Sequence, residues 1–383
     1  MGYLGGYIGV DLATGLGTNF APRSLPFGDG SHTNASTRYL WYDGSLVGPF
    51  TANIPATRCI GGKRFIQIQE AFTQSIDYSD RLDNIWWNLG SIQGQGIATP
   101  NDAAAPGGTS TACRLTTDTT PGITYCRKHA DATAGPGVIS LFLKQGTQGV
   151  NFCLRYKSVG TSSLDITPPS VWTRYQAYDT GDYPVLYNCW GGDAGTGQTA
   201  GDNHLLWCVQ LEVGGVYAHS PVPNNSGVVV VTAKDQFHWT EAVVDASRPK
   251  LRDGFFTRLI MHQASSAQLT LDGGTKYIAH FDATAETVSI YFDGADNKIK
   301  WAGSVTGALG ESAALTWSLD DIINLWFTFD NGSNSTLKVT GGGVDTTYTG
   351  TSTAATDGDL YWGMDTAEAN QLDIALISEP EPL

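Results

Sequence analysis

The sequence predicts an all-β protein: two consecutive antiparallel β-sandwich or jelly-roll domains preceded by an extended N-terminal arm. Three observations predict it. Glycine numbers 46 in 383 residues while charged residues reach only 15%, a mixture suited to many short strands joined by tight turns. Apolar residues alternate with polar ones at period two along several short segments. No segment carries a sustained i, i+3, i+4, i+7 apolar stripe.

Residues 1–58 are rich in Gly, Thr and Pro with little periodicity, and are expected to be an arm or anchoring region. The Gly61-Gly62 turn then leads into KRFIQIQEAF, where Phe65, Ile66 and Ile68 predict a strand. Residues 59–223 form the first expected sandwich. Within it, 138–143 puts Ile139, Leu141 and Leu143 on one face, and 150–156 puts Val150, Phe152, Leu154 and Tyr156 on one face. The stretch 172–178 repeats the alternation, 205–213 is more continuously apolar, and GGDAGTGQTAGDN at 191–203 reads as a long flexible loop.

The run PVPNNSG at 221–227 reads as a linker, so 224–249 is expected to be a spacer that includes the apolar GVVVVTA. Residues 250–383 form the second expected sandwich. Val288, Ile290 and Phe292 alternate, Asp293-Gly294-Ala295-Asp296-Asn297 turns the chain, and Ile299 with Trp301 returns. A second hairpin follows from Leu325, Phe327 and Phe329, the turn Asn331-Gly332-Ser333-Asn334, and Leu337 with Val339. Leu372, Ile374 and Leu376 predict a final strand.

Charge and cysteine usage narrow the function. The formal charge of −15 repels phosphate backbones, so nucleic acid is not an expected partner. No segment approaches the ~20 apolar residues of a membrane span, and the first residues lack the basic start and compact apolar run of a signal peptide. Production in a cytoplasm without ordinary export is therefore expected. The six cysteines lie between Cys59 and Cys208 with no CxxC pair. They read as buried free thiols, or as disulfides formed after release, with Cys113 and Cys126 the nearest plausible pair.

A set of motifs between residues 60 and 223 carries a family resemblance. They are Asp77-Tyr78-Ser79 before Trp86-Trp87, Pro106-Gly107-Gly108-Thr109 with Ala112 and Leu115, Trp172-Thr173-Arg174, and Trp207-Cys208-Val209-Gln210-Leu211-Glu212-Val213-Gly214. In this order they resemble a carbohydrate-binding-module-like jelly roll found in tailed-bacteriophage structural proteins, where a concanavalin A-like (LamG-like) sandwich often follows. Residues 250–383 look like such a sandwich by strand pattern. The segment VYAHSPVP after Gly214 departs from the family's usual ending. The resemblance implies a virion protein on the particle exterior, as a head decoration or fibre or a tail or baseplate appendage. It also implies partners among other capsid or tail proteins, a homo-oligomer, and contact with host-surface glycans.

The same residues carry no catalytic signature. There is no G-x-S-x-G elbow and no E-x-D-x-x-E strand, the histidines are scattered without ligand spacing, and Glu241 and Asp245 read as a solvated edge. No enzyme is expected; the alternative from another class is a glycan-degrading tail depolymerase or a receptor-binding lectin. Sugar recognition needs aromatic platforms flanked by amides and carboxylates. The segment WTRYQAYDTGDYPVLYNCWGG concentrates these, so Trp172, Tyr175, Tyr178, Asp179, Asp182, Tyr183 and Trp190 are candidate carbohydrate-binding residues. No organic cofactor is expected. Calcium is the one metal whose hard oxygen ligands the turns offer, through Asp179, Asp182, Asp293 and Asp296, although Asp and Asn are also ordinary turn formers.

Overall fold

The computed structural model describes residues 31–33, 37–43, 45–51, 55–75, 88–91, 96–117, 124–129, 136–147, 152–155, 163–179, 186–191, 201–224, 228, 230–330, 334–351, 357–366 and 370–383. These residues form an all-β protein of two antiparallel sandwiches.

The smaller sandwich spans 88–213 and has two five-stranded sheets. One runs in the order Ser163–Ile166, Phe152–Arg155, Leu186–Gly191, Thr124–His129, Asn88–Ser91. The other runs Thr173–Asp179, Gly137–Gln145, Asn203–Val213, Ala112–Thr117, Gly96–Ala103. Cys113 and Cys126 fall in different sheets, and Cys113 is a free buried thiol, so that pair forms no disulfide.

The larger sandwich stacks a seven-stranded sheet against an eight-stranded one. The first is ordered Ser31–Thr33, Gln236–Trp239, Asp359–Trp362, Thr275–Asp282, Val288–Asp293, Lys298–Gly303, Gly307–Glu311. The second is ordered Val344–Thr351, Asn334–Gly341, Ile322–Asp330, Gly254–Ile260, Leu376–Ser378, Lys63–Gln67, Ala56–Ile60, with Glu381–Pro382 also pairing with Gly254–Ile260. Both predicted hairpins form here, in registers Asp293↔Lys298 and Asp330↔Asn334. Their alternation is physical: Val288, Ile290, Phe292, Ile299 and Trp301 are buried while their neighbours are half-buried. Buried indoles find partners, as Trp301 Nε1 donates to Ser335 Oγ (2.7 Å) and Trp362 Nε1 to the Ser378 carbonyl (3.1 Å).

The sheets do not follow the domain boundaries expected at residues 58, 223 and 249. Ser31–Thr33, Ala56–Ile60 and Lys63–Gln67 all pair within the larger sandwich, so the smaller one is inserted into it. The arm reading missed Ser31–Thr33 and Ala56–Ile60: the first pairs with Gln236–Trp239, about 200 residues later, and the second joins the sheet through Lys63–Gln67, whose other edge pairs with Leu376–Ser378. Two crossings join the units, 68–75 and 214–224, and the first is bonded to the strand Asn203–Val213 that leads into the second. Gln74 Nε2 donates to the Val209 carbonyl (3.0 Å), Gln74 Oε1 accepts from Leu211 N (2.9 Å), and Ser75 N donates to the Leu211 carbonyl (2.8 Å).

Three further differences have local causes. Pro221, Val222 and Asn224 are buried, so the predicted linker is packed rather than free. Gly137–Gln145 is buried on both faces through Phe142, because Trp41 packs edge-on against the Phe142 ring at 4.7 Å. Two seven-residue helices, Glu241–Ser247 and Ser266–Asp272, were not predicted. The second is set by a capping box of Ser265 and Gln268 and closed by Gly273 in a left-handed conformation. Asp245, read as part of an edge, lies in the first helix and pairs with Arg252 beyond its end. The 191–203 loop prediction rests on positions that, apart from Gly191 and residues 201–203, lie outside the described residues.

Candidate functional site

A cleft of about 330 Å³ opens where the two sandwiches and the N-terminal hairpin meet. Six separate segments of the chain build it, among them the crossing residues Ala218, Ser220 and Pro221. Strands Arg38–Tyr42 and Ser45–Phe50 form a hairpin that brings Trp41, Tyr42 and Asp43 to one side. The edge strand Thr173–Asp179 and the residues just before it supply Val171, Trp172, Arg174 and Gln176. The larger sandwich supplies Gln67, His262, Gln263, Leu319 and Asp320.

Aromatic and apolar surface lies beside polar groups. The Trp172 indole is half-buried, with Nε1 donating to the Ala104 carbonyl at 3.0 Å. Val171 (64% exposed) and Leu319 (43% exposed) leave an apolar rim in solvent. The inner wall is a chain of amides: Gln67 Nε2 donates to His262 Nε2 (3.1 Å), Ser220 Oγ to Gln67 Oε1 (2.9 Å), and Ala218 N to Gln176 Oε1 (2.8 Å). Burial, with Arg174 nearby, pushes His262 down to about 3, so its imidazole is neutral and free to accept that hydrogen bond. Burial and the neighbouring Asp43 and Asp321 carboxylates push the Asp320 carboxyl up.

Behind the cleft lies a buried charge network. His219 Nδ1 meets Glu212 Oε2, and its Nε2 meets Asp373 Oδ2 at 2.9 Å. Asp373 Oδ1 accepts from Tyr217 Oη (2.9 Å) and pairs with Lys276 Nζ (3.1 Å), which also pairs with Glu70 (3.0 Å) and Asp272 (3.5 Å). Burial opposes charge on His219, but Glu212 and Asp373 outweigh it and push its pKa up to about 10. Burial likewise opposes charge on Asp373, yet Lys276 and His219 hold its carboxyl down to about 2. A second cavity of about 330 Å³, lined by Glu70, Phe72, Glu212, Tyr217, His219 and Asp272 among others, adjoins these groups.

The crossing segment serves both sides. Tyr217 and His219 turn into the network, whereas Ala218 and Ser220 line the cleft. Its residues therefore bind the two sandwiches together and shape the cleft wall at once.

Of the candidate sugar residues, Trp172 stands in the cleft. Tyr178 instead packs against the core of the larger sandwich, and Tyr175 does not line the cleft. The side chains of Asp179 and Trp190, and all of Asp182 and Tyr183, lie outside the described residues. Of the calcium candidates, Asp293 and Asp296 do come together, but around an ammonium: Lys300 Nζ lies 2.6 Å from Asp293 Oδ2 and 2.9 Å from Asp296 Oδ2. Their remaining oxygens accept from the Ala295 and Lys298 backbone, as ordinary turn residues do. No cluster of three or more metal-ligating side chains occurs among the described residues. No helix among them is long and apolar enough to cross a membrane.

Sequence reading missed Trp41, Tyr42, Asp43, His262, Gln263, Asp320 and the pairing of His219. RYLWYDG did carry a signal, an aromatic-rich strand ending in Asp-Gly. No family model and no curated protein matches the sequence. Among solved structures the chain is similar to the N-terminal CBM22-1-CBM22-2 tandem domain from Paenibacillus barcinonensis Xyn10C, over 81% of this chain and 98% of that one. Identity is 9% and the TM-score 0.27.

Proposed function

We propose that this chain is a non-enzymatic binding and assembly protein that takes a carbohydrate in the cleft between its sandwiches. The observation that carries this reading is the cleft itself: Trp41, Tyr42 and Trp172 beside Gln67, Gln176, Gln263, Asp43 and Asp320. Aromatic faces receive the apolar faces of sugar rings, while amides and carboxylates take hydroxyls. The motif order across residues 77–214 supports a place on the exterior of a tailed-phage particle, as a decoration, fibre or tail appendage that binds host glycans.

The rival is a depolymerase, favoured by the acids at the second cavity. The partners of two of those acids speak against it. Glu212 Oε1 accepts from Gln210 Nε2 (2.6 Å) and His219 N (2.9 Å), and its Oε2 meets His219. Asp373 has both oxygens engaged as well. A general acid or nucleophile needs an oxygen able to reach substrate, and these are spent on cohesion.

The test is a glycan array probed with the intact chain, followed by reducing-end assays on each bound polysaccharide. Binding that Trp172→Ala abolishes, with no reducing-end release, is expected. Release of reducing ends would overturn the non-enzymatic reading. Mass spectrometry of purified particles tests the virion assignment.

A further inference from the structure

Resting on that carbohydrate reading, we propose that the cleft selects a sugar bearing an N-acetylated amine, a neutral N-acetylhexosamine, over its hydroxyl and free-amine counterparts.

Three buried polar atoms in the wall lack partners: Gln263 Oε1, Arg174 Nε and His262 Nδ1. Gln263 is only 4% exposed, and its Oε1 has no hydrogen-bond partner. Arg174 donates from Nη2 to Ser140 Oγ (3.0 Å), yet its Nε–H has none. Both residues line the cleft, and Gln176 Nε2 lies 3.5 Å from the Gln263 carbonyl, which holds the strand carrying Arg174 beside Gln263. Buried groups of this kind are normally satisfied, so the wall is short of acceptors, for Arg174 Nε–H and for the Nδ1–H of a His262 whose Nε2 accepts from Gln67, and of one donor, for Gln263 Oε1.

An acetamido group supplies both within one rigid plane: a carbonyl oxygen for Arg174 Nε–H and an N–H for Gln263 Oε1. A hydroxyl at the same carbon is a shorter group and leaves one of the two unmet.

Charge narrows the class further. Asp43 and Asp320 border the same cleft, so a sugar carboxylate would add a third negative charge beside them. A free amine would be drawn to those carboxylates but would place its charge against Arg174 and offer no acceptor. The neutral acetamide avoids both conflicts. Its methyl group has apolar surface to meet at Trp41, Trp172, Val171 and Leu319. The volume of about 330 Å³ sits at the low end for small-molecule pockets and suits one pyranose ring rather than a long chain.

The experiment titrates the intact chain calorimetrically with matched sugars that differ only at C2. One set is N,N′-diacetylchitobiose, chitobiose and cellobiose; the other is N-acetylgalactosamine, galactosamine and galactose. In at least one set the acetylated sugar is expected to bind at least about tenfold more tightly than both counterparts, the scale set by leaving a buried polar group unpaired. Gln263→Leu should cut that preference to less than about threefold, and Trp172→Ala should weaken every sugar of the set. If the amine or hydroxyl sugar binds as well as the acetylated one, the N-acetyl assignment is overturned while the carbohydrate cleft stands. If no sugar of either set binds and the glycan array is also blank, both fall. The sugar series decides the question even if Gln263→Leu does not fold.

Discussion

His219 joins the two sandwiches by standing between Glu212 and Asp373, with its Nε2 2.9 Å from Asp373 Oδ2. Glu212 ends a strand of the smaller sandwich, and Asp373 belongs to the larger one. Removing the ring leaves two buried carboxylates with one cation, Lys276, on only one of them. His219→Ala is therefore expected to cost about 3 kcal/mol or more in denaturant unfolding, as breaking a buried pair does. A loss below about 1 kcal/mol would show that the network is hydrated and weak.

The same network sets a pH dependence. His219 is raised from 6.5 to about 10, so its contribution is whole below pH 6.5 and fades as pH climbs toward 10. Asp373 is lowered from 3.8 to about 2, so its contribution is whole above pH 3.8 and fades only as pH falls toward 2. The stability gap between the native chain and His219→Gln should be widest from about pH 4 to 6.5 and narrow steadily toward pH 10. Unfolding curves at five or six pH values would reveal the trend, and a gap that widens with pH contradicts it.

Trp301 tests packing in the larger sandwich. Its Nε1 donates to Ser335 Oγ, and its six-membered ring lies over Gly310 and Gly350, where a Cβ on Gly350 would fall 2.6 Å from Trp301 Cζ2. Ser335→Ala strands a buried N–H and is expected to cost about 1–3 kcal/mol. Gly310→Ala forces the ring to move and should cost about 1–3 kcal/mol, with crowding rather than a lost hydrogen bond as the cause. In Trp301→Phe the Ser335→Ala penalty should largely vanish, which a double-mutant cycle would measure.

Calcium should find no seat at the 293–297 turn. The Lys300 ammonium already sits between Asp293 and Asp296, and its hydrogen bond holds the Asp293 carboxyl below the usual range. Lys300→Met frees both carboxylates. The expected result is a calcium-dependent rise in melting temperature that the variant gains and this turn of the native chain lacks. A Lys300→Met protein indifferent to calcium would show that the turn geometry, not the lysine, excludes the ion.

What the sequence revealed follows from where each residue's partners lie. Val288 to Trp301 was legible because alternation and an Asp-rich turn are local, and the hairpin that results is local too. Trp172, singled out because it stands in a dense aromatic stretch, does line the cleft. Apart from its neighbours in 171–176, the other cleft residues come from segments near 42, 67, 220, 262 and 320, and only the sheet topology brings them together. His219 seemed isolated for the same reason: its partners lie 7 and 154 residues away. Lys63–Gln67 read as a strand but was assigned to the wrong unit, since pattern shows that a strand exists and not which edge it joins.

The pairing of Ile66 with Ile377 also dictates an order of events on the ribosome. Lys63–Gln67 emerges early and can pair at once with Ala56–Ile60, but its other edge must wait until residues 376–378 are synthesised. Residues 88–213 are complete long before that and can close their own sheets in the interval. Maturation thus proceeds from the inside outward, and the waiting edge is a place where a nascent neighbour can add a strand. Crowded synthesis of many copies would expose that hazard first, as misassembly through the 63–67 edge rather than through the inserted unit.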